Sequence, residues 1–387
     1  MPIIPPGGTR DMRPEVLPPS LLTHFNDDFV RSCDLLEEYV ERTALGILVD
    51  LGVESVLPAT VDGVVDRLRL DAGAARVPVL WLLSLLADRG HLERAEGDTF
   101  LCPRPLPPQD PDEIRRRQEE HDPSALPSYD IAAFAAESYP TCLRGEVSGE
   151  RALFAPQRLA HWSRYFNNAN PLYAINNRLP AMAAADGGSV RSILELGGGL
   201  GSGGEALLGE LRTRGRLDEV EQYRFTDISP VFLRRGQRAL AAAAPDVPLV
   251  AGRLDIDKPL EEQGVEPASV DLLFAVNTVH VARDLGATLG DLFATLAPGG
   301  RLVMGEGIRP FAGQAIYSEL VFLLLESFRN PVLHPDYRPA GSFLTPEQWT
   351  LALESAGFVD VELLPDITRV REHYPSFLVA SVSARKA

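Results

Sequence analysis

The sequence predicts an α/β protein, a doubly wound and mostly parallel sheet over the C-terminal half behind a helical front. Three observations predict it. The apolar runs at 192–196, 222–226, 248–251, 270–276 and 301–305 are short, end in turn residues and are separated by helix-length segments, the pattern of βαβ units. The first run continues into glycines, Ile193-Leu-Glu-Leu-Gly-Gly-Gly-Leu-Gly-Ser-Gly-Gly-Glu205, as a strand, a tight turn and a helix start require. Two further runs, 357–364 and 376–382, read as a closing antiparallel pair.

In chain order, the segments 35–51, 61–70 and 77–89 carry apolar residues at helical spacing. Residues 91–102 read as two short strands around Glu96-Gly97-Asp98, a hairpin turn signal. Three helices and a hairpin make a winged helix over residues 1–105. Its third helix is mostly leucine where a DNA-reading helix would be basic, so it is expected to pack, or to pair in a homodimer. Pro103-Arg-Pro-Leu-Pro-Pro-Gln-Asp-Pro111 is a proline-rich linker into a helical connector, residues 106–188. Within it, residues 159–177 gather aromatic and amide side chains just before the glycine loop. Asn170-Pro171 marks a break between two helices. The remainder reads as a helical lid whose Tyr165, Asn167, Asn170, Tyr173 and Asn177 bind the substrate. Residues 189–387 form the ligand-binding domain, with helices at 231–244, 285–296 and 345–356 between strands.

Composition bounds the function. The formal charge of −17 argues against nucleic acid and anionic membrane surfaces, both of which call for clustered Lys and Arg. Cys33, Cys102 and Cys142 lack metal or disulfide spacing, which suits the cytoplasm. The opening Met1-Pro-Ile-Ile-Pro-Pro-Gly-Gly lacks the charged and apolar parts of a secretory leader, and no run is long enough to cross a bilayer. A cytoplasmic enzyme is expected.

The glycines read Glu195-x-Gly197-x-Gly199-x-Gly201, tighter than the G-x-G-x-x-G of dinucleotide-binding loops. Asp227 closes the second strand, where a doubly wound sheet places an acid on ribose hydroxyls. Asp255 follows the third strand, in reach of an adenine amino group. This spacing and order resemble the class I S-adenosylmethionine methyltransferases. The resemblance implies a seven-stranded Rossmann-like sheet, and a donor held by Glu195, Gly197, Gly199, Gly201, Asp227, Asp255 and Asn277. It extends to the front, because small-molecule methyltransferases often carry a winged-helix domain there.

The fourth strand is followed by Asn277-Thr-Val-His-Val-Ala-Arg-Asp284, and the fifth ends at Met304-Gly-Glu306. Ligands bind outside the carboxyl ends of such strands. If the two strands are neighbours, His280 and Glu306 converge there. A carboxylate beside an imidazole holds its tautomer and raises its basicity, which suits proton removal from a carbon acid or hydroxyl. Asn-x-x-His-x-x-Arg-Asp, the later Ala-Pro-Gly-Gly and Glu306, and Thr226-Asp-Ile-Ser-Pro230 resemble the C-methyltransferase domains of polyketide synthases, from about residue 159 onward. That resemblance implies a catalytic dyad of His280 and Glu306 that generates an enolate beside a thioester, on a small-molecule or acyl-carrier-protein-bound substrate.

Two departures leave alternatives. The sequence holds no ketosynthase or carrier segment. Residues 329–345 look more like stand-alone tailoring and loading-module methyltransferases, some of which hold a catalytic metal. O-methylation of a small-molecule natural product, and metal-dependent methylation of a malonyl-type substrate, are therefore the rivals. No metal ligands are assigned, since His161, His280, His334 and Glu306 form no i, i+4 pair. A winged-helix regulator with a degenerate nucleotide fold is the rival of a different class. Acids at three successive strand ends speak against it.

Overall fold

The structure is a computed structural model that describes residues 11–387. The opening stretch read for a leader lies outside the described residues.

The front begins with helix α1 (Asp27–Asp50), two turns earlier than the apolar spacing suggests, because the Asn26 side chain accepts from the Phe29 N–H at 2.9 Å and caps it there. Strand β1 (Ala59–Thr60), helices α2 (Val61–Arg67) and α3 (Ala72–Asp88), and strands β2 (Glu93–Ala95) and β3 (Thr99–Leu101) follow. The three strands pair antiparallel in the order β1-β3-β2, the expected wing. Asp71 caps α3 through the Ala74 N–H at 2.8 Å, so Pro78 lies inside that helix and not at its start. Leu82, Leu83, Leu85 and Leu86 of α3 are buried within the chain, in one core with α1, the connector and residues 316–328, while Leu80 stays 42% exposed. Trp81 Nε1 donates to the Ile316 carbonyl at 3.0 Å. Most of the apolar surface that raised the homodimer expectation is thus covered within the chain, with Leu80 left at the surface.

The connector holds helices α4 (Pro111–His121), α5 (Leu126–Leu143), α6 (Leu159–Tyr165) and α7 (Pro171–Ala185). The last differs from the expected lid. A Cβ on Gly305 would stand 2.3 Å from the Asn176 carbonyl, so the α7 backbone lies directly against the large sheet as a fixed wall.

That sheet has seven strands, β4 (Ser192–Leu196), β5 (Gln222–Asp227), β6 (Leu249–Arg253), β7 (Val270–Val276), β8 (Leu296–Gly307), β9 (Val359–Leu364) and β10 (Val379–Arg385). Their order is β6-β5-β4-β7-β8-β10-β9, and only β10 runs against its neighbours. Helices α8 (Ser202–Thr213) and α9 (Pro230–Ala243) cover one face, α10 (Leu285–Thr295) and α11 (Pro346–Ser355) the other. Alternation along β7 feeds both layers: Leu272 and Phe274 join the first, Leu273 and Ala275 the second. Ser229, Asp284 and Thr345 cap α9, α10 and α11, the last as a capping box with Gln348. Among the described residues no helix is long and apolar enough to cross a membrane.

Candidate active site

The carboxyl ends of β5, β4, β7 and β8 lie side by side, and four loops there build the site. Gly197, Gly199 and Gly201 all have positive φ, at 58°, 57° and 92°. They serve different ends. A Cβ on Gly197 would meet the Thr278 side chain at 2.5 Å, and one on Gly201 would meet the Gly236 carbonyl of α9 at 3.0 Å. At Gly199 the nearest atom is 3.9 Å away, because that position faces open space. Two glycines therefore fold the loop and one keeps a cavity of about 150 Å³ clear.

Asp227 lines this cavity and is held by the loop itself. Its Oδ2 accepts from the Gly199 N–H at 2.9 Å and its Oδ1 from the Ser229 N–H at 2.7 Å. Burial raises its carboxyl above the usual range, against those two amides. Glu195 lies beneath the loop, almost wholly buried, where it accepts from the Tyr223 hydroxyl at 2.8 Å and from the Gly204 N–H in the first turn of α8. Burial pushes it up to about 8. It lines the same cavity from beneath the loop. Asp255 stands outside the lining, with its carboxylate 3.2 Å from Lys258 Nζ.

Asn177, expected from sequence to bind the substrate, instead opens to this same cavity. Its Nδ2 donates to Asn168 Oδ1 at 2.8 Å, while its buried Oδ1 has no hydrogen-bond partner. Leaving such an acceptor unpaired costs about 1–3 kcal/mol, so a ligand carrying a donor is favoured here. An open Gly199, a carboxylate at a strand end and an orphaned amide oxygen together fit a nucleoside with hydroxyl and amino donors.

Beside the cavity, Asn277 leaves β7 at φ 50°, a left-handed turn that asparagine tolerates better than branched residues. The turn brings His280 against β8. His280 Nδ1 hydrogen-bonds Glu306 Oε2, and Glu306 Oε1 accepts from the Val279 N–H at 3.1 Å. Both side chains are buried, at 2% and 0% exposure. With the carboxylate accepting, Nδ1 carries the proton and Nε2 keeps its lone pair. Phe343 stacks on the imidazole with centroids 5.0 Å apart, and Phe328 meets it edge-on at 5.4 Å.

Arg338 completes the clamp, and nothing in the sequence singled it out. It is fully buried and donates to the carbonyls of His280 at 2.9 Å, Ala282 at 2.6 Å and Gly341 at 3.2 Å. The loop 334–343 is thereby tied to the backbone of the histidine turn. Burial lowers the Arg338 pKa to about 10.

A second cavity, of about 190 Å³, adjoins the first and has mostly apolar walls. Phe166, Tyr173 and Asn277 line both, and the Tyr173 hydroxyl bonds the Asn277 side chain. His280 lines the second cavity with Tyr165, Tyr317, Phe328 and Phe343. Burial raises the phenols of Tyr165 and Tyr173, which keeps them neutral donors. Of the five residues expected from the connector, only these two tyrosines reach the second cavity. Asn167 is exposed and accepts from the Ala169 N–H at 2.8 Å, which is turn chemistry. Asn170 is buried but spends its amide on Ser128 Oγ and the Tyr165 carbonyl, each at 3.1 Å. His161 pairs with Asp130, and His334 stacks on Tyr337. Among the described residues no three His, Cys, Asp or Glu side chains are grouped to hold a metal ion.

Comparison with known proteins fits this geometry. Residues 194–302 match a methyltransferase domain family. The polyketide synthase ThaQ of Burkholderia thailandensis is 33% identical over 204 residues, which is 52% of this chain and 9% of ThaQ. The chain thus spans about a tenth of the length of such relatives. The crystal structure of the CurJ carbon methyltransferase superposes with a TM-score of 0.77 at 21% identity, over 97% of both chains. That of the trans-methyltransferase CalH in complex with S-adenosylhomocysteine does so with 0.63 at 20% identity, over 98% of this chain and 93% of that one. Residues 194–302 therefore carry a methyltransferase domain, the chain has the fold of S-adenosylmethionine-dependent carbon methyltransferases, and its sequence is similar to part of polyketide synthases.

Proposed function

We propose that the chain methylates a carbon acid flanked by carbonyls, a β-ketoacyl-type thioester carried free or on an acyl carrier protein. The observation that supports this reading is the buried pair of His280 and Glu306 beside the junction of a polar and an apolar cavity. S-adenosylmethionine supplies an electrophilic methyl group when bound. Gly199, Asp227 and Asn177 would hold it, with Glu195 propping the loop from below and Gly197 and Gly201 shaping it. The acceptor lies in the apolar cavity with its acidic carbon at His280 Nε2. The imidazole takes that proton while Glu306 stabilises the imidazolium through Nδ1–H. Tyr173 and Asn277, at the junction, donate to the enolate oxygen as charge develops, and buried donors are strongest there. Apolar walls keep water from competing for the base.

The test is transfer from labelled S-adenosylmethionine to β-ketoacyl carrier proteins, to the same acyl groups as pantetheine thioesters, and to free phenols. Methylation at the carbon between the carbonyls is expected, with chelator present. Transfer to phenol oxygen alone would replace the reading with O-methylation. Activity lost to chelator and restored by iron or manganese would move proton removal to a metal-acidified substrate.

A further inference from the structure

Along the carboxyl edge of the large sheet the site residues follow strand order. Asp227 ends β5, Gly199 follows β4, His280 follows β7 and Glu306 closes β8. The next strand, β10, is antiparallel, so it starts on this same edge, with Val379 opposite Gly307. Just before it stands Phe377, 7% exposed, its ring 4.8 Å from that of Phe25. Phe25 in turn meets Phe29 at 5.4 Å. These three rings line the same cavity as His280. The polar groups around them are engaged with protein: Tyr374 OH with Asp11 at 2.9 Å, Ser376 Oγ with Glu37 at 3.0 Å, and Arg13 with the Phe25 carbonyl at 2.8 Å. The cavity thus has the donor on one side of the base and an aromatic, donor-poor end on the other.

We propose that Phe25, Phe29 and Phe377 form a subsite for an apolar tail of the acceptor, extending from the carbon that His280 deprotonates. The inference rests on the reading of His280 as base toward an acyl acceptor. Strands lie ~4.8 Å apart, so two spacings from β7 to β10 leave roughly 10 Å of edge for the tail, more than a single methyl needs. The occupant is an alkyl, polyenyl or aryl chain. A hydroxylated chain would lose its hydrogen bonds to water beside Tyr374, Ser376 and Arg13, whose polar atoms are already engaged.

The test is a series of β-ketoacyl pantetheine thioesters from acetoacetyl to β-ketodecanoyl. In the wild-type chain kcat/KM should rise with length, by up to about fourfold per methylene, until the subsite fills. Phe377→Trp should abolish that rise, lowering kcat/KM for the longest thioesters by at least about tenfold more than for acetoacetyl. Phe25→Leu, a milder change, should lower the gain only for the longer tails, and unchanged S-adenosylmethionine affinity reports that either variant is folded. A flat wild-type response to length overturns the subsite and leaves the reading of the base intact. Equal losses on short and long substrates in both variants do the same. If no thioester of any length is methylated while the donor binds, the reading falls and the subsite with it.

Discussion

The donor cavity and the acceptor cavity meet at Tyr173 and Asn277, yet one is shaped mainly by backbone and the other by side chains. The donor side is built on two strand ends close in sequence, with Phe166, Tyr173, Asn177 and Asn277 closing it. Its contacts are loop amides, a glycine left open and an acid that the same loop holds. The acceptor side draws on residues 13–33, α7, the turn after β7, and the segments 317–343 and 370–379. Backbone geometry tolerates little change, whereas aromatic walls can be repacked one ring at a time. The difference teaches that a common donor and a variable acceptor are served by different kinds of construction in one site.

The sharpest way to break the comparison is at the dyad. His280→Ala should cost about 10²–10⁴ in methyl transfer, the worth of a positioned base, with donor affinity unchanged by calorimetry. Glu306→Ala should cost less in rate, although it also strips the Val279 N–H of its acceptor. The double variant should be barely slower than His280→Ala, since the two act as a unit. Matching losses of rate and donor affinity would show that the halves are not separable.

That division also governs what the sequence reveals. The strand series, the order of the glycine loop and Asp227, and the meeting of His280 with Glu306 are legible because each depends on short-range pattern plus one adjacency, β7 beside β8. The winged helix is legible for the same reason, through local periodicity and the Glu96-Gly97-Asp98 turn. The acceptor walls are not. Phe25, Phe343 and Phe377 look like ordinary core residues until the fold brings their segments together. Arg338 lies in a loop with no periodicity, 58 residues from the carbonyl of His280 that it binds. The connector asparagines mislead in the opposite direction. Asn167 and Asn170 read as ligand groups, but the first accepts from the Ala169 N–H in its own turn and the second donates to Ser128 and the Tyr165 carbonyl. Asp255 has the right place in the order of strand ends, but its carboxylate accepts from the Asp257 N–H at 3.1 Å and lies 3.2 Å from Lys258 Nζ.

A smaller effect sharpens the comparison from the donor side. Asp227→Ala should weaken S-adenosylmethionine binding by about 1–3 kcal/mol, the scale of a lost charge-assisted bond. Acceptor KM at saturating donor should stay near wild type. A rise in acceptor KM equal to the loss in donor affinity would mean that the glycine loop also shapes the acceptor wall.

The smallest effect on methyl transfer at neutral pH belongs to Glu195, and there the pH dependence of stability decides. Its carboxyl ordinarily ionises near 4.5, and in the folded chain burial lifts it to about 8. Between those values the folded state keeps a proton that the unfolded state has released. Stability from this group is therefore fully present below about 4.5, falls as pH rises, and levels off above about 8. Glu195→Gln is nearly isosteric with the protonated acid and cannot ionise. The variant should match wild type in acid and gain on it steadily through the window, as read by urea unfolding at a series of pH values. Donor affinity should follow the same curve, because a buried charge beneath the loop destabilises the loop it supports, a cost that the Tyr223 hydroxyl and the Gly204 N–H offset only in part. The rate of methyl transfer at saturating donor should not, since its pH profile belongs to the dyad. Parallel stability curves for the two proteins would mean that Glu195 is an anion in both states, held by its amide and hydroxyl donors. The donor loop would then rest on a fixed charge, and pH would reach the site only through its acceptor half.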